Sequence, residues 1–384
     1  MFTNNNCDGG MWKTLFIVKL PPPVNGATMM NKILRDSYQL NKKYSIRWID
    51  NGLARAADDF GVVSVGKIYR WMITVLIAAY EIIICQRRIV YITIAPRGVA
   101  FAKDSIFLLL SRMTAKRTFV HFHGRGLKEY SSSNSVARWY MKLVLKKCVP
   151  ITLSQSLSKD ISEVCLRRPV VVPNCTNETI DSGCIYYSIE NNPLKLVYLS
   201  NFHPDKGVGT FIRVIKLLKE KLSVRGFECS IIGNGTKYLT IDDAVDMVKR
   251  ADVDDCIKHL GPLYGKEKMQ TLAESDILVF PTSYRNEAFP IVLLEAMEAG
   301  MAIISSPIGG IVDIVRDGET GYLLSWDNEE GICQAIVNLD MDRKKLNEMK
   351  KTARSTYELR YTKKRFINSI DGVLSNELSY LLNP

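Results

Sequence analysis

The chain has 384 residues, 47% apolar and 24% charged, with no low-complexity segment; it can bury two ordinary cores and is not a disordered or fibrous protein. Nine scattered cysteines include no C-x-x-C pair, which argues against a zinc ribbon or a disulfide framework and suits a reducing cytosol. The net charge of +11 is uneven: residues 1–190 carry 26 Lys and Arg against 13 Asp and Glu (+13), and residues 191–384 carry 25 against 27 (−2), so the first half is expected to face something acidic, be it lipid headgroups, nucleic acid or a saccharide.

The N-terminal MFTNNNCDGGMWK lacks a charged segment followed by a long apolar run, so no signal peptide is expected. Lys13–Leu20 predicts a first strand, running into a Pro/Gly loop and a helix. Strand, glycine loop and helix is the order that brings backbone amides to a phosphate, and here Asn25 and Gly26 are the suitable residues. Ser45–Asp50 predicts the second strand. Trp71–Cys85 is the most apolar stretch; Glu81 interrupts it and Arg87 and Arg88 follow, so it is too short to span a bilayer and is expected as a core helix. Ile89–Ala95 and Arg117–His123 predict strands, with a helix over Phe101–Met113 between them. Val136–Lys147 predicts a helix carrying Arg138, Trp139, Tyr140, Lys142, Lys146 and Lys147. Taken alone it reads as a solvated face; with Arg112, Lys116 and Arg117 nearby, its basic and aromatic residues favour a membrane interface.

The pattern lapses over Thr176–Pro193 and then restarts. Strands are predicted at Lys195–Leu199, Glu228–Ile232 and Cys256–Leu260, with helices at Thr210–Leu222 and Glu267–Ala273. Residues 276–321 follow as strand, loop, helix, strand and loop. In this stretch Pro290 suits the first helical position, Gly300 a left-handed cap, and Glu295 is a carboxylate on a helix that is apolar on nearly every side. No Ser, Thr, Asp or Asn precedes Pro290, so the amides of Ile291, Val292 and Leu293 are expected to be open to a ligand. Alternating strands and helices predict an α/β chain of two Rossmann-like doubly wound domains. The boundaries expected are 1–180, a linker over 181–193, a second domain over 194–364, and a C-terminal helix over 365–384 that crosses back to the first. Ligands of such sheets sit at the carboxyl ends of the strands. The loops of Gly26, His123, Lys206, Gly235 and Glu287 all follow strands, and with the sheets facing each other they line one cleft.

Several residues carry a plainer alternative. His121 competes with His123, two residues along the same strand face. His203 and His259 read as structural, and Asn174 as a turn after Pro173. Gly233 and Gly235 serve either a tight turn or the approach of a nucleotide.

At this point the residues resemble the retaining glycosyltransferases of GT-B fold and family 4 type. The resemblance rests on Glu287-x7-Glu295 within NEAFPIVLLEAMEAG, on Gly309–Gly310 and DGETGYLL, and on YLSNFHPDKGV; PPPVNGAT, HFHG and VVPNCT fall in the expected order. It extends over about residues 14–365 and implies the following roles. Glu287 contacts the donor sugar and Glu295 the ribose hydroxyls. The backbone of Phe289, Ile291 and Val292 holds the sugar and diphosphate. Lys206 neutralises the leaving diphosphate, and His123 lies beside the reacting sugar. Gly26, with Asn25, lets the backbone approach the phosphates, Gly235 approaches the nucleotide, and the Leu263 backbone lies near the base. At the donor-binding position where the family usually has an arginine, this chain has Asn201, so the diphosphate loses one cation unless Arg285 or another basic side chain supplies it, and Ala288 stands where glycine is common.

The implied reaction transfers a sugar from a nucleotide diphosphate to a glycan or lipid-linked acceptor, in surface polysaccharide assembly, without metal or other cofactor. The enzyme is expected to be cytoplasmic and peripheral at the inner face of the cell membrane. Attack on the front face is favoured over double displacement through Glu287. The rival readings are a nucleotide-sugar epimerase, for which Asp104 and Glu129 are the few carboxylates on offer in the first domain, and a non-catalytic nucleotide-sugar-binding module. No nucleic-acid motif is present, so no nucleic-acid partner is expected.

Overall fold

The computed structural model describes residues 7–8, 11–54, 64–180, 183, 185–189, 192–221 and 226–382. The expectation about the extreme N-terminus and the expected linker positions 181–182, 184 and 190–191 lie outside these residues. The chain divides into two units, Met1–Cys175 with Lys363–Pro384, and Thr176–Thr362.

The first unit is built on seven strands: β1 (Cys7–Asp8), β2 (Met11–Val18), β3 (Tyr44–Asp50), β4 (Ile89–Ile94), β5 (Arg117–Phe122), β6 (Cys148–Thr152) and β7 (Val170–Val171). Strands β3-β2-β4-β5-β6-β7 lie side by side and parallel, and β1 adds a short antiparallel ladder at the start of β2. Every residue of β4 is buried, as expected of a β-branched run covered on both faces. The connections β3 to β4, β4 to β5 and β5 to β6 all step the same way, so right-handed crossovers put their helices in one layer. These helices are Val65–Ala79, Gly98–Thr114 and Ser135–Leu145. They share a core in which Ile92 and Val120 of the sheet meet Ala78, Phe107, Leu108 and Val144.

The expected core helix is corrected here. A π-helical turn, Tyr80–Ile84, continues Val65–Ala79, and across both segments only Lys67, Ala78, Glu81 and Ile82 are buried. Tyr69, Met72, Leu76 and Tyr80 face outward. The segment is apolar on nearly its whole circumference, so hydrophobicity alone does not say which side meets the sheet.

The last helix, Lys363–Leu382, belongs to the first unit. It buries Phe366, Ile370 and Leu374, and its Asp371 accepts from Lys43 Nζ (2.7 Å) and Tyr44 Oη (2.7 Å). Glu377 pairs with Arg117 at 3.1 Å and with Arg167 at 2.8 Å.

The second unit has six parallel strands: β8 (Leu194–Leu199), β9 (Phe227–Ile232), β10 (Ile257–Gly261), β11 (Ile277–Phe280), β12 (Ala302–Ser305) and β13 (Gly321–Leu323), in the order β10-β9-β8-β11-β12-β13. The order reverses between β8 and β11, and the crevice at the carboxyl ends of such a pair is where open α/β sheets bind ligands. At the opposite, amino end the two strands are clamped. Asp276, with no solvent exposure, accepts from the Lys195 amide (3.0 Å) and pairs with the equally buried Lys350 (2.9 Å). The described part of the stretch read as a linker packs on this unit: Thr176 Oγ1 bonds Tyr357 Oη (2.7 Å), and the Ser188 amide donates to Asn347 (2.9 Å).

Candidate active site

The loops after β8 and β11 are joined face to face. His203 Nδ1 accepts from the Asp205 amide (3.2 Å) and so starts a single 3-10 turn, Pro204–Lys206. Gly207 ends the turn at φ +89°, and a Cβ there would run into the Pro281 carbonyl, so only glycine lets the two loops touch. The Asp205 carbonyl then accepts from the Ser283 amide (2.8 Å) and Thr282 Oγ1 (3.2 Å). This zip delivers Lys206 Nζ onto Glu287 Oε2 as an ion pair, with the ammonium 4.5 Å from the centre of the Tyr284 ring. The Glu287 side chain is 8% exposed and that of Lys206 21%. The glycine loop after β12 backs onto the same place: Gly309, at φ +57°, has no room for a Cβ beside the Glu287 carbonyl, and the Gly310 amide donates to the Ala288 carbonyl (2.6 Å).

The helix after this loop runs Ile291–Glu298. Pro290 is its N-cap, not its first residue, because its ψ of 121° is extended; no side chain caps the helix. Of the three amides expected to be open, that of Leu293 donates to the Pro290 carbonyl (3.2 Å), because the first turn tightens. Ile291 and Val292 are left as the helix-start donors. Phe289 is buried with its ring 6.0 Å from that of Tyr361, so its backbone is what it offers the site. Glu295 has a partner the sequence did not reveal: Lys268, on the helix Gly265–Ala273, donates to Oε1 at 2.7 Å. Burial raises the Glu295 pKa, and the Lys268 charge opposes that rise.

Other positions are less central. Asn201 is exposed at the end of β8, and Arg285 is exposed in the β11 loop. A Cβ on Gly233 would meet the Ser200 carbonyl, so a glycine there is required by packing, and Gly235 lies against the start of the helix Ile241–Ala251. Leu263 is half-buried after β10. His203, between the Tyr238 and Tyr284 rings at 4.9 and 5.2 Å, and His259, against Phe202 at 5.6 Å, are packing residues.

In the first unit, Asn25 is not an open phosphate donor. It caps the helix Gly26–Arg35 in a reciprocal box: Oδ1 accepts from the Thr28 amide, and Thr28 Oγ1 accepts from the Asn25 amide, both at 3.0 Å. Gly26 is the first residue of that helix. His123 follows β5 with both ring nitrogens closed off from solvent; burial lowers its pKa to about 4, with Asn174 opposing, so the ring is neutral near pH 7. His121, its competitor, is fully buried and bonded through Nδ1 to Tyr91 Oη (2.6 Å), which marks it as structural. Asp104 is spent as well. It has no exposure and is held by Lys19 (3.0 Å), Lys103 (2.6 Å), Asn51 Nδ2 (2.9 Å) and the Ala95 amide (3.0 Å). Burial alone would raise its pKa, but the two ammoniums hold it below the usual carboxylate range.

Residues 187–356 match the family described as Glycosyl transferases group 1. This segment, somewhat less than half of the chain, is similar to the group 1 glycosyltransferases. The chain is 24% identical over 187 residues to N-acetyl-alpha-D-glucosaminyl L-malate synthase of Bacillus anthracis, covering 49% of this chain and 46% of that protein. Over 153 residues it is 26% identical to the amylovoran biosynthesis glycosyltransferase AmsK of Erwinia amylovora, covering 39% and 36%. The chain thus spans about half or less of the length of these curated relatives. Among solved structures, a glycosyltransferase from Rickettsia africae ESF-5 superposes with a TM-score of 0.72 at 16% identity, covering 96% of this chain and 99% of that one. Anabaena Alr3699/HepE, solved in complex with UDP and glucose, gives 0.68 at 13% identity, covering 95% and 100%. These likenesses establish the fold of this GT-B chain.

Proposed function

We propose that the enzyme transfers a sugar from a nucleotide diphosphate sugar to a glycan or lipid-linked acceptor, with retention of configuration and without metal. The observation that carries this is the Lys206–Glu287 pair beside the Ile291 and Val292 amides, at the strand-order reversal between β8 and β11. The demanding event in such a transfer is departure of the diphosphate. A fixed ammonium and helix-start amides stabilise the charge that develops, and in this reading they replace a divalent cation. Lys206 takes the diphosphate, and Glu287, released from it, takes the sugar hydroxyls. Glu295 holds the ribose, with Gly235 and the Leu263 backbone lining the nucleotide. Phe289 contributes its backbone, and Gly26 and His123, on the first unit, keep the roles that the resemblance implies. His123, neutral, serves as a hydrogen-bonding group and not as a cation. With Asn201 in the arginine's place, Lys206 carries the diphosphate charge, with Arg285 or another basic side chain as the second cation. Front-face attack, with the departing phosphate taking the acceptor proton, fits a Glu287 that is engaged with the sugar hydroxyls.

Support also comes from the UDP and glucose in the HepE structure and from the amylovoran biosynthesis named for the Erwinia relative; assembly of a surface polysaccharide is the role we assign. Contact of the basic first unit with an anionic membrane, at its cytoplasmic face, belongs to the same reading. The epimerase alternative loses ground, since Asp104 is locked between two lysines.

The test is a panel of UDP-, GDP- and other nucleotide sugars, scored for binding and slow donor hydrolysis. Glu287→Ala and Lys206→Ala are each expected to lower turnover by about a hundredfold or more. A protein that binds and hydrolyses no donor, or one indifferent to Glu287→Ala, overturns the assignment.

A further inference from the structure

We infer that the helix Val65–Ala79, with its continuation to Ile84, lies in the surface of an anionic bilayer with its apolar side toward the acyl chains. This deepens the membrane part of the reading above by naming the element that inserts, and it does not depend on sugar transfer.

The first observation is the stripe itself. Val65 is 84% exposed, Tyr69 64%, Met72 51%, Leu76 67%, Tyr80 57% and Ile84 64%. They recur at steps of three and four, so they form one band along a helix of about 30 Å. Opposite them lie the buried Lys67, Ala78, Glu81 and Ile82, so the helix is already seated on its own sheet and the band is surplus to that packing. An apolar band of this length on a water-facing surface marks an interaction site.

The second observation concerns the neighbours in the same layer. The helices Gly98–Thr114 and Ser135–Leu145 add the exposed Met113 and Trp139, and exposed Arg138, Lys142, Lys146 and Lys147 lie on or just after the latter. The only carboxylates on the three helices are Glu81 and Asp104. Both are buried and paired, Glu81 with Arg87 at 2.6 Å and Arg47 at 3.3 Å, Asp104 with Lys19 and Lys103. These three helices therefore offer solvent apolar and cationic groups, the exposed carboxylate among the described residues of the same crossovers being Glu129 on the short helix Leu127–Ser133.

That composition chooses the occupant. Two copies packed on this layer would oppose like charges across a low-dielectric contact, which is unfavourable. A bilayer with acidic headgroups meets both requirements: the band enters the acyl boundary while the lysines and arginines meet phosphates. Among the described residues no helix is long and apolar enough to cross a membrane, so this helix lies along the surface and does not span it.

The experiment is flotation of the full chain with phosphatidylcholine vesicles, alone or containing phosphatidylglycerol, at low and high salt. The protein is expected to float with the anionic vesicles, and high salt to reduce that binding without abolishing it, because apolar insertion is not screened. Tyr69→Glu with Leu76→Glu is expected to lower the bound fraction about tenfold or more at both salt concentrations, with circular dichroism and donor hydrolysis unchanged. Lys142→Glu with Lys146→Glu should remove only the salt-sensitive part. Wild type that floats with neither vesicle overturns the inference, as does a Tyr69→Glu, Leu76→Glu variant that floats like wild type. Failure to float together with a dimer that this variant dissociates would also overturn it, in favour of self-association. Donor hydrolysis is scored separately, so a failed transferase assignment leaves the flotation result standing.

Discussion

His123 is the residue whose charge state can be read most directly. Its folded pKa of about 4 lies below the ordinary histidine value because burial disfavours the cation. Between those two values the unfolded chain binds a proton that the folded chain refuses. The stability this group contributes is therefore present above about pH 6.5 and is lost as pH falls toward 4. From pH 7 to pH 5 the loss amounts to about 2 kcal/mol for this one group. His123→Gln is expected to flatten the pH dependence of the first unit's unfolding over that range, as followed by chemical denaturation; an unchanged slope would show that the imidazole is protonated in place. The main residues of the candidate site were picked out in the sequence because they follow spacing. Glu287 and Glu295 stand eight apart across a helix start, and Lys206 sits between a Pro–Asp pair and a glycine. Lys268 was not legible. Its contact with Glu295 joins residues 27 apart on two different helices, and no periodicity relates them. Asn25 is the opposite case: an asparagine before a helix is read equally well as a ligand contact or as a cap, and Thr28 three residues on was the sign of the cap.

At the scale of elements, the site depends on two loops that touch. Gly207 is the contact point, and Gly207→Ala combines an unfavourable φ with a collision against fixed backbone at Pro281. The expected loss is about 2 kcal/mol or more in the second unit, seen as a Tm lowered by several degrees, with weakened donor binding as Lys206 is pushed off Glu287. Gly318→Ala is the control. Its φ of +76° is equally unfavourable, but nothing lies within 4 Å of the added carbon, so it should cost only about 1 kcal/mol. Strands were the most legible elements. Runs such as Ile89–Ile94 and Ile277–Phe280 are β-branched or apolar throughout and bounded by turn residues. Short helices such as Tyr38–Lys43, Leu127–Ser133 and Gln155–Ile161 escaped notice because two turns or fewer hold too little pattern to register. The helix from Val65 was recognised as a helix, but an almost uniformly apolar segment carries no directional information, and its outward face emerged only from the structure.

At the scale of the molecule, the uneven charge was visible in the composition, but which surface carries it was not. The division of the chain was also only partly legible, since Thr176 and Ser188 look like linker residues and yet bond into the second unit. The last helix contributes Phe366, Ile370 and Leu374 to buried positions, each worth about 1.5–3 kcal/mol, a sum comparable to the whole stability of an ordinary domain. A chain ended after Thr362 is expected to keep a folded second unit and to lose the first, detected by rapid proteolysis confined to residues 1–175. Equal protection of both units would show that the helix is dispensable.

That same closing helix sets an order of events during synthesis. Residues 1–175 leave the ribosome first but lack Lys363–Leu382, whereas Thr176–Thr362 is contiguous and holds all of its own strands. The later half can reach its final structure while the earlier half is still incomplete, a reversal of the usual N-to-C sequence. During that interval the residues of the outward band, Val65 to Ile84, are already outside the ribosome, and a nearby membrane or chaperone would meet them before the first sheet has its last helix.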